Sequence, residues 1–281
     1  MKRTITHTVR GTRAIDGAGV HLMRVLGHKD TEIFDPVLML DSFDSNNPDE
    51  YTAGFPFHPH RGIETISYVS KGAMIHRDSL GNEAAVTGGE VQWMNSGSGI
   101  IHEETLPPSD ELLGAQLWLN LPAQEKMSAP SYTSIHNEDI QEIKIDGGTL
   151  RLLAGSYQDH HGFKGDHLPL NYYDIQLNPQ AQFTIKMNED ESIMLFTLKG
   201  DVIINGEHIA EKTAVKLSEG TELEIQASDK AVQLLYIASY ALKEPIAWAG
   251  PIVMNTQDEL HQALVELESK TFIKDQTYYE K

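Results

Sequence analysis

Cysteine is absent from all 281 residues. Disulfides, zinc–thiolate centres and thiol catalysis are thereby excluded, and any metal must be held by nitrogen and oxygen. No run of 18 or more apolar residues occurs, so no segment has the length and hydropathy of a membrane-spanning helix. Basic side chains are few: 22 Lys and Arg stand against 41 Asp and Glu, a formal charge of −19. That deficit argues against general affinity for nucleic acid or an anionic membrane, and leaves a specific protein partner open. Met1-Lys2-Arg3-Thr4 is followed by no apolar segment or small-residue cleavage site, so a cytoplasmic location is expected.

The residues present are those of an ordinary globular protein, 40% hydrophobic with 22 Gly and 12 Pro, long enough for one large or two modest domains. Short apolar or alternating runs dominate: 20–26, 37–40, 63–69 and 116–119, then 171–177, 182–185, 192–198, 202–204 and 232–237. Gly, Pro, Asp and Asn separate them, the punctuation of a sandwich or closed barrel. The two groups of runs resemble each other, and the polar, proline-bearing stretch Pro122 to Tyr132 divides them. One helix is expected after Thr256, where Thr256 and Glu259 form a capping-box pattern and Leu260, Ala263, Leu264 and Leu267 follow at helical spacing.

The chemistry concentrates between residues 58 and 104. His58-Pro59-His60 stands at one end and His102-Glu103-Glu104 at the other. On a strand, residues i and i+2 share a face, roughly 6.5–7 Å apart. Two such pairs on neighbouring strands would aim His58, His60, His102 and Glu104 at one point. Three neutral nitrogens and one anionic oxygen suit a mononuclear transition metal and leave coordination positions open for water, substrate or dioxygen. Pro59 stiffens the first pair, and Gly97 and Gly99 allow a sharp bend before the second. Glu64, four residues after His60, is either an alternative ligand or an acceptor orienting an imidazole. Arg61 either offsets carboxylate charge near the site or forms a surface ion pair. Phe55, Phe57, Met74, Trp93 and Met94 line a cavity or pack the core. In the second half His136, His160, His161, His167, His208 and His261 form no His-X-His pair. His160-His161 sits in a Gly- and Asp-rich stretch expected to be a solvated loop.

These segments resemble the pirin family of the cupin superfamily. The likeness lies in His58-Pro59-His60-Arg61-Gly62-Ile63-Glu64-Thr65, in 76–82 and 89–94, and in Gly97-Ser98-Gly99-Ile100-Ile101-His102-Glu103-Glu104. Further similar segments are 116–122, 244–246 and 250–255. The resemblance implies an all-β fold of two jelly-roll type antiparallel β-barrels with a C-terminal helix. It implies a metal-bearing N-terminal cupin barrel over 1–132 and a metal-free C-terminal barrel over 133–281, whose last segment packs back on the first. It implies His58, His60, His102 and Glu104 as ligands of one divalent metal. Fe(II) comes first, with Mn, Co, Ni, Cu or Zn as alternatives. In many other cupins the position of Glu64 supplies the carboxylate instead. The implied activity is a quercetin 2,3-dioxygenase acting on a flavonol and dioxygen, opening the central ring with release of carbon monoxide and with Glu104 as the base. The alternatives are a non-enzymatic regulator whose iron tunes binding to a protein partner, and a cupin whose metal only stabilises the fold. A monomer is expected.

Overall fold

A computed structural model describes residues 1–274 of the chain. Strand makes up 54% and helix 9%, so the short alternating runs do build an all-β protein. Val20–Leu26, Asn171–Leu177 and Val202–Ile204 keep the expected bounds, while Ile63–Lys71, Leu112–Asn120 and Ser192–Lys199 run past them. His160-His161, expected in a loop, instead forms a two-residue strand paired with Ser156–Tyr157.

The strands gather into two units of the same plan, each with one seven-stranded and one four-stranded sheet. The histidine unit comprises Arg13–Leu22, Val37–His136 and the chain from Leu242 onward. Its large sheet runs Ser131–Ile135, Glu90–Asn95, Ile63–Lys71, Leu112–Asn120, Val37–Ser45, Val20–Leu26, Thr12–Asp16. Its small sheet runs Phe55–His60, Ile100–Thr105, Ala73–Asp78, Glu83–Thr87. The other unit comprises Met1–Thr12, Met23–Pro36 and Asn137–Ala241, and is filled by its own cluster of Leu, Ile, Val and Tyr side chains. The units are thus interleaved along the chain rather than meeting at residue 132. Ser131–Ile135, beyond that point, is still an edge strand of the histidine unit, and Ile5–Arg10 pairs with Thr213–Leu217 in the other. Residues 275–281 of the expected second domain lie outside the described residues.

Within the histidine unit the inward face of the large sheet changes character along its strands. Val69 packs with Phe43, Tyr51, Met74, Val86 and Leu112 in an apolar cluster bridging both sheets. Two and four residues back along the same strand stand Ser67 and Thr65, both buried. Cross-strand partners share a face, so Gln92 and Gln116 join Ser67, while Met94 and Trp118 join Thr65. One part of the interior is therefore an ordinary core and the next is polar.

The C-terminal segment folds onto the strand that carries the histidines. The helix Gln257–Glu268 starts at Thr256 as expected, with Glu259 N–H donating to Thr256 Oγ1 (3.2 Å) and Thr256 N–H to Glu259 Oε2 (2.9 Å). Leu260, Ala263 and Leu267 pack with Ala247, Ile252, Met254 and Phe272. Leu264 departs from the expected stripe and is 40% exposed. At about 100° per residue it falls on the far rim of the arc set by the other three. Arg61 fulfils neither expectation. It is buried, donates to Ser98 O (2.7 Å) and Phe272 O (2.9 Å), pairs with Glu266 (2.8 Å) and lies 4.2 Å over the Phe272 ring. Its own carbonyl accepts from Val253 N–H (3.1 Å). Lys126 adds a second tie, donating to Gly62 O, Asn120 Oδ1 and Val253 O.

Glu266 gives this clamp a pH dependence. Its partial burial alone would raise the carboxyl, but bonds from Lys274, Gln262 and Arg61 outweigh burial and hold it at about 2, against an ordinary 4.5. A depressed carboxylate contributes stability above its ordinary pKa and loses it as pH falls through the folded value. Glu266→Gln is expected to cost on the order of 2 kcal/mol at pH 7. In denaturant unfolding followed against pH, the gap between the two proteins should close as pH falls from 4.5 toward 2.

Candidate metal centre

Phe55–His60 and Ile100–Thr105 are antiparallel neighbours in the small sheet, and their register sets His102 directly opposite His58. Strand alternation puts His60 on the same face as His58. Two glycines make the flanking bends. Gly62 has φ +78°, and a Cβ there would fall 2.0 Å from Val253 O; Gly97 has φ +40°, and a Cβ there would fall 2.1 Å from Ser128 O. Neither position has room for a side chain, and both conformations favour glycine.

The three imidazoles converge, with one ligand atom of each lying within 4.8 Å of the others. His58 Nε2 and His102 Nε2 are 3.0 Å apart, and the ring centroids are separated by 4.4 to 5.0 Å. His60 and His102 are buried, and His58 is partly exposed. Burial, with His58 alongside, holds the His60 and His102 imidazoles well below the ordinary 6.5, so both are neutral near pH 7. His58 Nδ1–H donates to Pro56 O (2.9 Å) and His60 Nδ1–H to Pro251 O (3.1 Å). A carbonyl only accepts, so each of those rings carries a proton on Nδ1 and turns Nε2 toward the cluster.

This donor set fits a metal ion. Nitrogens each about 2.1 Å from one ion, at right angles on it, are about 3.0 Å apart, which is the His58–His102 separation. A neutral imidazole whose far nitrogen is tied to a backbone carbonyl is a usual ligand arrangement. With nitrogen donors and no thiolate, the set is open to several transition metals.

Glu104 lies two residues beyond His102 with a bulge between them against Phe55–His60. Its buried carboxylate lies outside the convergent group of three histidines. Gln116 Nε2 donates to both of its oxygens (3.0 Å each), and Gln92 Nε2 donates to Oε1. Gln116 Nε2 also reaches Ser67 Oγ at 2.9 Å. Glu64 is not at the site. Its Oε1 accepts from Trp93 Nε1 (2.9 Å), and both residues lie on the face of the large sheet opposite to Ser67, Gln92 and Gln116. The Arg61-Gly62 turn interrupts the strand after His60, so the face shared by residues 58 and 60 does not continue to 64. Trp93 is thereby removed from the cavity, Phe55 and Met74 belong to the apolar cluster, and Phe57 is exposed. Met94 does share the polar face, opposite Thr65.

Gln92 and Gln116 were legible only as polar residues at alternate positions in otherwise apolar strands. Trp118 was also missed. It meets the His60 ring edge-on, with centroids 5.0 Å apart, and lies against Trp248. Thr65 Oγ1, Gln92 Oε1 and Trp118 Nε1 are buried without a hydrogen-bond partner among the described residues. All three belong to the face that carries the Glu104 cradle.

A two-barrel β protein with three convergent imidazoles in one barrel is the class of molecule defined so far. The family profile described as Pirin matches residues 19–119, and the one described as Pirin C-terminal cupin domain matches 172–273. A Pseudomonas aeruginosa protein provisionally named a quercetin 2,3-dioxygenase is 40% identical over 274 residues, covering 93% of this chain and 95% of that one. Human pirin is 34% identical over 272 residues, covering 94% and 92%. A crystal structure of quercetin 2,3-dioxygenase from Acinetobacter baumannii is similar with a TM-score of 0.90 at 30% identity, covering 97% and 99%. The chain belongs to the pirin family.

If the three imidazoles hold one ion, His60→Ala and His102→Ala should each weaken Co(II) binding by at least about 100-fold. Anaerobic competition with a chromophoric chelator measures this. Unchanged affinity in both variants would place the binding elsewhere.

Proposed function

We propose that this protein is a metal-dependent dioxygenase that opens the central ring of flavonols such as quercetin, at a mononuclear site held by His58, His60, His102 and Glu104. The observation that carries this reading is the convergence of three imidazoles, two of them with Nδ1 tied to a backbone carbonyl and Nε2 turned to the cluster. The names of the Pseudomonas and Acinetobacter relatives support the reaction class. A divalent metal, Fe(II) first among the candidates, supplies Lewis acidity toward the flavonol oxygens and electron transfer toward dioxygen.

The protein's own groups supply binding, orientation and proton transfer. Glu104 takes the proton of the flavonol 3-hydroxyl. Its Oε1 is engaged by two amides and Oε2 by one, so Oε2 is the oxygen with more accepting capacity left for that proton. The cradle of Gln92 and Gln116 fixes the carboxylate so that little reorganisation accompanies the transfer. Thr65 Oγ1, Gln92 Oε1 and Trp118 Nε1 offer donors and an acceptor for a polar aromatic ligand, and Trp118 gives it a flat apolar side. Buried polar atoms of this kind exclude ligands that cannot pair with them.

The test is apo protein reloaded separately with Fe(II), Mn, Co, Ni and Cu, with quercetin loss and oxygen uptake followed together. One metal form should turn over with oxygen consumption. Glu104→Gln should keep metal and lose at least about 100-fold in kcat. Full activity in that variant would remove Glu104 as the base. Metal bound one to one with no turnover in any form would favour a metal-tuned binding protein instead.

A further inference from the structure

The histidine unit buries a fourth imidazole that the proposed chemistry leaves unused. His76 lies on Ala73–Asp78, the neighbour of the His102 strand on the side away from His58. It is fully buried, and so is Asp78 two residues on. Tyr132 stacks on the His76 ring, with centroids 4.0 Å apart and planes 13° from parallel. His76 Nδ1 lies 3.3 Å from His102 Nδ1, and His76 Nε2 lies 2.8 Å from Asp78 Oδ2.

The proton positions follow from the acceptor at the far end. Asp78 receives Leu80 N–H (2.9 Å) and Asn82 N–H (3.1 Å) on Oδ1, and Asn82 Nδ2 (2.9 Å) on Oδ2. A carboxylate facing three donors accepts from His76 as well, which puts a proton on His76 Nε2. With that proton on Nε2, Nδ1 is the nitrogen His76 turns toward His102. A metal on the Nε2 side needs the His102 Nε2 lone pair, and the proton shared between the two Nδ1 atoms, 3.3 Å apart, is then the one His102 keeps. On that side His102 Nε2 lies 3.0 Å from His58 Nε2, the separation that a shared ion would bridge.

We propose that Asp78 and His76 form a buried relay that fixes the His102 proton on Nδ1 and so commits its Nε2 to the metal. His58 and His60 use backbone carbonyls for this purpose, whereas His102 uses a side-chain pair anchored in the 78–82 turn. Both are positioning residues, acting on the metal through His102. The inference rests on the metal-centre reading, and the experiment separates the two.

His76→Phe keeps the ring and its stacking on Tyr132 and removes both nitrogens. His76→Gln keeps an acceptor toward His102 and a donor toward Asp78. Co(II) affinity of purified apo protein, measured anaerobically by chelator competition, should fall about 10- to 100-fold in His76→Phe and stay within about threefold of wild type in His76→Gln. Long-range 1H–15N correlation spectra of the wild-type protein loaded with diamagnetic Zn(II) should show His102 protonated on Nδ1, a readout that needs no variant to fold. Wild-type affinity in His76→Phe, or an Nε2-protonated His102, overturns the relay. If affinity is lost in His60→Ala but not in His76→Phe, only the relay fails. If wild type and His60→Ala bind equally, the metal centre fails and the relay with it.

Discussion

Each imidazole at this site must have one nitrogen occupied by a defined partner before the other can face a metal. That constraint organises the histidine unit. Two buried rings held below their ordinary pKa are neutral, and a neutral imidazole has one donor and one acceptor whose placement depends on its neighbours. Pro56 O and Pro251 O settle the question for His58 and His60, and the Asp78–His76 pair is positioned to settle it for His102. The convergence is a property of tautomers as well as of strand register.

The constraint also gives the C-terminal segment a role near the site. Pro251, which holds His60, comes from that segment, and the next residues are tied down by Arg61, Lys126 and the narrow space at Gly62. The buried guanidinium of Arg61 has carbonyl, carboxylate and aromatic partners, all beside the histidine strand. An uncompensated charge there would be costly. Residues about 190 positions later in the chain thereby reach the ligand strand. The Glu104 cradle is built from the opposite sheet, where Ser67, Gln92 and Gln116 replace the apolar contacts found farther along the same strands.

Much of this was legible in the amino-acid sequence for simple reasons. Strand bounds such as Val20–Leu26 follow from period-two patterning between turn residues, and the Thr256 cap follows from side-chain chemistry local to one turn. His58, His60 and His102 meet because i, i+2 spacing determines a shared face. Other features were not legible. Glu64 was assigned the site's face by counting from His60, but the Gly62 turn breaks the count. The pairing of Asp78 with His76, and of His76 with His102, depends on which strands adjoin, which spacing does not encode. The interleaving of the two units depends on residues 1–12 pairing with strands some 200 positions later.

X-ray absorption on the Fe(II)-loaded protein is the most direct test of the converging imidazoles. Three imidazole nitrogens should appear at about 2.1 Å, with the outer-ring scattering that identifies histidine, and the pattern should drop to two in His102→Ala. A first shell of oxygen alone, or imidazole scattering unchanged by loss of His102, would contradict the assignment of the metal to this cluster.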